Sequence, residues 1–138
     1  MTGQVLLLGG TGTIGRATAR ALRQAGHRVT ALVRPGSDPA LLPGCDRIEG
    51  LATAPADLAR AMALTRPQAV ISCLASRTGA PADAWAIDHA AQSAALQAAV
   101  AAGVGHFVLL SAICVQKPAL EFQRAKLAFE AELRAAPI

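Results

Sequence analysis

Apolar and polar positions switch between two periods along the chain. Gln4 to Leu8 is a short apolar run that stops at glycines, and from Thr13 to Ala25 apolar residues recur at helical spacing through Ile14, Ala17, Ala21 and Leu22. This predicts a strand, a tight turn and a helix stopped by Gly26. The apolar, β-branched stretch from Arg28 to Val33 predicts a second strand, closed by Arg34-Pro35-Gly36-Ser37. A Pro- and Gly-bearing loop leads to Asp46, followed by a weak strand from Arg47 to Gly50 and a helix from Pro55 to Leu64 with proline in its first turn. Ala69 to Cys73 reads as a fourth strand, Pro81 to Ala102 as a long Ala-rich helix ended by Gly103, His106 to Leu110 as a fifth strand, and Leu120 to Ala135 as a last helix.

Strands that alternate with helices at this spacing imply a parallel sheet joined by right-handed crossovers. The expected fold is α/β, a Rossmann-type doubly wound parallel sheet of five strands in the order 3-2-1-4-5 with helices on both faces. The 138 residues suffice for one domain with its own core, so residues 1–138 are expected to form a single nucleotide-binding unit. The composition is 53% hydrophobic but only 3% aromatic, dominated by Ala, Leu and Val, which suits close helix-on-sheet packing. No run approaches the roughly 20 apolar residues needed to span a bilayer. Met1 to Gln4 passes directly into strand pattern with no room for a leader, from which a bacterial cytoplasmic address is expected.

Three cysteines, Cys45, Cys73 and Cys114, are an odd number with no CxxC spacing. Reduced, mostly buried thiols are expected, with no disulfide framework and no metal site. The net charge of +4 comes from scattered basic residues, among them Arg16, Arg20 and Arg23 on the first helix and Arg124, Lys126 and Arg134 on the last. With no basic block and almost no aromatics to stack on bases, nucleic acid is not an expected partner. An anionic dinucleotide or a carboxylated substrate accounts for the sign equally well.

Such a dinucleotide has a candidate site at Gly9-Gly10-Thr11-Gly12-Thr13-Ile14-Gly15, where glycines fall at 9, 12 and 15 between a strand and a helix. Gly9 lets the chain turn off the strand, Gly12 lets backbone N–H groups approach a pyrophosphate, and Gly15 lets the helix pack close to the sheet. Gly9, Thr11, Gly12, Thr13, Ile14 and Gly15 are therefore the expected phosphate-side contacts, at a helix N-terminus that favours anions. The second strand ends in Arg34, where an NAD-binding fold usually places an acid for the ribose 2′-hydroxyl. NADPH is thus the expected cofactor, with Arg34, and Ser37 behind it, at the 2′-phosphate; the plainer alternative for Arg34 is a solvated loop arginine. Leu74, Ala75 and Ser76, with Arg77, follow the fourth strand at the edge where open α/β sheets bind ligand.

Four strings further along carry a more specific likeness: Ser72-Cys73-Leu74-Ala75-Ser76-Arg77-Thr78-Gly79, Trp85-Ala86-Ile87-Asp88, the run from Phe107 to Pro118, and Glu121-Phe122-Gln123-Arg124-Ala125-Lys126. Together with the glycine turn they resemble the divinyl chlorophyllide 8-vinyl reductases, an NmrA-like branch of the atypical short-chain dehydrogenases. The resemblance implies hydride transfer from NADPH to a vinyl group conjugated with a tetrapyrrole, divinyl chlorophyllide or protochlorophyllide, in chlorophyll or bacteriochlorophyll biosynthesis. The ordinary short-chain dehydrogenase uses Ser, Tyr and Lys, whereas this chain has no tyrosine and Phe122 stands at that place. A phenyl ring donates no proton, so carbonyl chemistry is not expected; a carbanion beside the macrocycle would spread into it.

The resemblance further implies that Lys126 holds the nicotinamide ribose and that Ser111 lies beside the nicotinamide. From residue type alone, the same two are an exposed helix lysine and a strand-end serine capping a backbone group. Many relatives contact the adenine through a Gly-Asp pair after the third strand, where this chain has Gly50-Leu51, so backbone donors are the expected replacement. Arg77 is expected at a cofactor phosphate, a tetrapyrrole propionate or solvent. For Trp85, core or interface packing is expected before tetrapyrrole stacking. His27 and His106 look structural and His89 has no evident partner. Members of the branch close over substrate with a C-terminal part, which implies a truncated sheet, apolar surface beside strand five and self-association. A non-catalytic NADP-sensing or assembly protein is the alternative function.

Overall fold

A computed structural model describes residues 2–138. In chain order the elements are β1 (Gln4–Leu8), α1 (Thr13–Gln24), β2 (Arg28–Val33), a 3-10 turn at Pro39–Leu41, β3 (Asp46–Glu49), α2 (Pro55–Thr65), β4 (Ala69–Ser72), α3 (Pro81–Ala84), a π-helical segment at Trp85–Ala91, α4 (Gln92–Ala101), β5 (His106–Leu109) and α5 (Glu121–Ala135). All strand pairings are parallel, as the alternation predicts, and the order is β3-β2-β1-β4-β5, the one expected of the Rossmann-type fold.

Alternation along β1 divides the core in two. Leu6 and Leu8 point to one face, where they pack with Val70, with Leu58, Ala61 and Met62 of α2, and with Ala95 and Ala99 of α4. Leu7 points to the other, where Val29, Ala31 and Val33 of β2 meet Ala19 of α1 and Leu42. The three leucines are fully buried, worth about 1.5–3 kcal/mol each by transfer. Alanines on α1, α2 and α4 bring those helices close to the sheet. α5 adds Phe129, whose ring lies 5.9 Å from that of Phe107.

The helix predicted over Pro81 to Ala102 is interrupted. Its middle, Trp85 to Ala91, is π-helical, one residue per turn wider than the flanking α segments, and it ends where Gly103 takes φ +70 with the Val104 N–H bonding Ala99 O. The expectation of mostly buried thiols is corrected: Cys45 and Cys73 are half-buried and Cys114 is exposed, because Cys114 sits in the loop after β5. At β5, Val108 is 50% exposed, so the α1 face of the sheet is bare at this edge.

Candidate cofactor and active site

The phosphate turn is built by packing as much as by conformation. Gly9 takes φ +70, and a Cβ there would lie 2.6 Å from the Cys73 carbonyl, so β1 and β4 exit side by side only with glycine. A Cβ at Gly15 would overlap the Gly9 carbonyl and Gly10, which fixes how close α1 comes to the sheet. Gly12 differs: its ideal Cβ meets nothing nearer than Gly9 O at 3.7 Å. It is the N-cap of α1, with no side-chain cap, and Gly12, Thr13 and Ile14 are exposed while Thr11 is half-buried. The first-turn donors of α1 thus face an open cradle that a side chain would fill, which fits a pyrophosphate.

At the end of β2, Arg34 is exposed and in no ion pair among the described residues. Ser37 stands behind it, yet its hydroxyl is already donated to Arg34 O at 2.7 Å, alongside its own N–H at 3.1 Å. Ser37 shapes the turn that presents Arg34. The expected backbone donors after β3 are corrected: Gly50 N–H bonds Val33 O and Leu51 N–H bonds Asp57 Oδ2 at 2.8 Å. Both donors are consumed internally. The Leu51 N–H, then Arg60, hold the Asp57 carboxyl below its usual range.

A cleft of about 430 Å³ opens at the carboxyl ends of β4 and β5, lined by Ile14, Leu74, Ala75, Ser76, Arg77, Ser111, Phe122 and Lys126 among others. Phosphate turn, β4 exit and α5 therefore converge on one space. Lys126 is only 2% exposed, which excludes the solvated helix lysine. Its ammonium donates to Leu74 O at 2.6 Å and Leu110 O at 3.1 Å, the carbonyls that leave β4 and β5. Burial pushes its pKa down, opposed by Asp88, whose Oδ1 lies 3.5 Å away. Ser111 donates its hydroxyl to Glu130 Oε1 at 2.6 Å, so it bonds a side chain of α5 rather than capping backbone. Phe122 is half-buried in the same cleft, one helical turn before Lys126.

Asp88, the last residue of the Trp85–Asp88 string, has a role that its sequence context does not reveal. It is 1% exposed, and both its oxygens lie 3.3 Å from the Ser76 N–H, so one carboxylate ties the β4 exit loop to Lys126. The π segment sets its position, and Gln92 just beyond accepts from buried Ser72 Oγ at 2.6 Å and donates to Leu74 O at 3.3 Å. Trp85 is not a core residue: it is 39% exposed, donates Nε1–H to Glu121 Oε2 at 2.9 Å and stacks edge-on with His89. His89 does have a partner, Glu132 at 2.5 Å, whose other oxygen accepts from Ser93 Oγ. His27 Nδ1 accepts from Gly3 N–H, a structural role. Among the described residues no cluster of three metal ligands exists, and no helix is long and apolar enough to cross a membrane.

A parallel 3-2-1-4-5 sheet, a glycine turn over an uncapped helix and a cleft at the strand ends define a dinucleotide-binding α/β unit. The chain matches the NAD(P)H-binding family over residues 9–136 and belongs to it. It is similar to the chloroplastic divinyl chlorophyllide a 8-vinyl-reductases, 47% identical to that of Oryza sativa subsp. indica over 95% of this chain, 46% to that of Zea mays and 41% to that of Arabidopsis thaliana. The chain spans about a third of the length of these curated relatives, 35% for the rice protein. Among solved structures, the Bordetella bronchiseptica enzyme WbmG in complex with NAD superposes over the whole chain with a TM-score of 0.86 and 23% identity, covering 51% of that protein. UDP-glucose 4-epimerase from Brucella ovis in complex with NAD gives 0.86 and 23% over 96% of this chain and 47% of its own. At that identity the two share the fold.

Proposed function

We propose that residues 1–138 are the NADPH-binding domain of a reductase that converts the 8-vinyl group of divinyl chlorophyllide or protochlorophyllide to ethyl, with the substrate lobe lying outside this chain. The observation that carries the proposal is the pairing of Lys126 and Phe122 in one cleft: a buried ammonium at the carboxyl ends of β4 and β5, and no acid where a carbonyl reductase needs one. The named activity of relatives at 41–47% identity supports the same choice.

The bound cofactor supplies the hydride. The chain's own residues bind and orient. The Gly9–Gly15 turn receives the pyrophosphate, with Thr11, Thr13 and Ile14 beside it, and Arg34 takes the 2′-phosphate that distinguishes NADPH from NADH. Leu74, Ala75 and Ser76 form the wall nearest the nicotinamide, and Lys126 takes its ribose by exchanging one of the contacts that its ammonium makes with the Leu74 and Leu110 carbonyls and Asp88. Ser111, anchored to Glu130, lies at the reacting end. Phe122, Ile14 and Ile113 give the cleft an apolar lip suited to a flat conjugated ring, and Arg77 a cation for its carboxylate. None of these groups is a strong acid, so the single proton that completes the ethyl group after hydride transfer enters from outside them.

A bacterial cytoplasmic location belongs to the proposal, as does self-association of the isolated chain through the bare β5 edge; a monomer in light scattering contradicts the latter. The decisive test joins this chain to the C-terminal part of the rice relative in place of that protein's own N-terminal domain, incubates the joined protein with NADPH and divinyl chlorophyllide a, and separates the pigments. Monovinyl product matched by NADPH consumption, and lost in Lys126→Met, is expected. Selective cofactor binding with no monovinyl product overturns the reductase assignment.

A further inference from the structure

We propose that Arg47, on β3, is a second determinant of NADPH selectivity, a positioning residue that holds the Arg34 turn and adds its charge beneath it. The proposal rests on the NADPH preference above and concerns a residue to which that preference assigned nothing. Arg47 pairs with Ala31 of β2 in the sheet, and its guanidinium reaches to the turn after β2, donating Nη2–H to Ser37 O at 2.7 Å. Ser37 in turn is tied to Arg34 O by its N–H and its hydroxyl. An unbroken chain of hydrogen bonds therefore runs from the Arg47 side chain to the main chain of Arg34.

Two further observations separate Arg47 from an ordinary turn clamp. Among the described residues no carboxylate lies within ion-pair distance of it, so its charge is uncompensated. Its Nε is enclosed and has no hydrogen-bond partner. A neutral amide would close the same turn without leaving a half-buried cation and an orphaned donor. A dianionic phosphate held by Arg34 above the turn compensates that charge, and the 2′-hydroxyl of NADH does not. The Ser37 hydroxyl proton is engaged with Arg34 O, which leaves the two arginines to supply the positive field.

The test measures the affinity of the 138-residue chain and of Arg47→Met, Arg47→Lys and Arg34→Ala for NADPH and for NADH, at low and moderate salt, beside thermal melts. Arg47→Met is expected to weaken NADPH about tenfold and NADH less than about twofold, and to flatten the salt dependence of NADPH binding. Arg47→Lys is expected to recover most of the NADPH loss. Equal losses for both cofactors, or a lower melting temperature with an unchanged NADPH/NADH ratio, make Arg47 a structural clamp and overturn the inference. Should Arg47→Met not fold, Arg47→Gln keeps a donor to Ser37 O without the charge and carries the same comparison. A parent chain that binds NADH as well as NADPH, or neither, overturns the NADPH preference itself before any Arg47 variant is made.

Discussion

Replacing Asp88 by Ala removes the one carboxylate found beside the Lys126 ammonium among the described residues. Both groups are almost fully enclosed, at 3% and 1% side-chain exposure, and their 3.5 Å separation is that of an ion pair. Breaking a buried pair from one side costs about 3–5 kcal/mol, because the remaining charge loses its compensation. Lys126 keeps the Leu74 and Leu110 carbonyls, so the lower end applies, about 3 kcal/mol, or about 10 °C in Tm for a chain of this size. Burial already lowers the Lys126 pKa in the folded chain, and losing Asp88 lowers it further. A base whose folded pKa lies below its unfolded one makes the unfolded state bind more protons in the interval between them, so stability rises with pH there. The deficit of Asp88→Ala is therefore full at neutral pH and shrinks as pH climbs toward the ordinary lysine value. Denaturant melts of Asp88→Ala, Lys126→Met and the double variant across that range check it, with the double variant recovering most of the loss. A deficit below about 1 kcal/mol at pH 7, or one that neither pH nor Lys126→Met relieves, refutes the buried pair as the organiser of this cleft.

Gly12→Ala should leave Tm within about 2 °C, since its φ of −72 suits any residue and its Cβ meets open space, yet weaken NADPH at least about tenfold; Gly9→Ala should cost about 3 kcal/mol from strain and overlap with Cys73, read by thermal melts and cofactor titration together. Arg34→Ala should weaken NADPH far more than NADH in the same titration, and equal losses sink its assignment to the 2′-phosphate. Glu132→Ala, which strips the acceptor from both Ser93 and His89, should cost about 1–2 kcal/mol in denaturant unfolding while leaving NADPH affinity unchanged, because that seam lies outside the cleft.

The parts of the fold legible in the sequence are those whose cause is local. β1 and β2 match their predicted limits residue for residue, and α1 ends one residue early, because apolar runs bounded by glycine leave little freedom of register. The parallel pairing follows from alternation, and the 3-2-1-4-5 order is the one expected of a dinucleotide turn placed after the first strand. The π segment was not legible: an Ala-rich stretch has so little contrast between helix faces that one extra residue per turn leaves no periodic trace, and Asp88 is aimed by that segment. Trp85, His89 and Ser93 find their partners on α5, 36–43 residues away, where no spacing rule reaches. The same holds for Arg47 beneath Ser37 and for Asp57 at Leu51, each a side chain from one element satisfying the backbone of another. At Lys126 the identity was legible by resemblance and the burial was not, since a lysine one turn after Phe122 gives no sign of the carbonyls above it.

The central claim, that this chain is an NADPH-selective binding domain, is tested most directly by titrating the purified 138-residue protein with NADPH and with NADH and following cofactor fluorescence. Saturable binding of NADPH at least about tenfold tighter than NADH is the predicted result. Binding of neither cofactor, or NADH bound as tightly as NADPH, contradicts it.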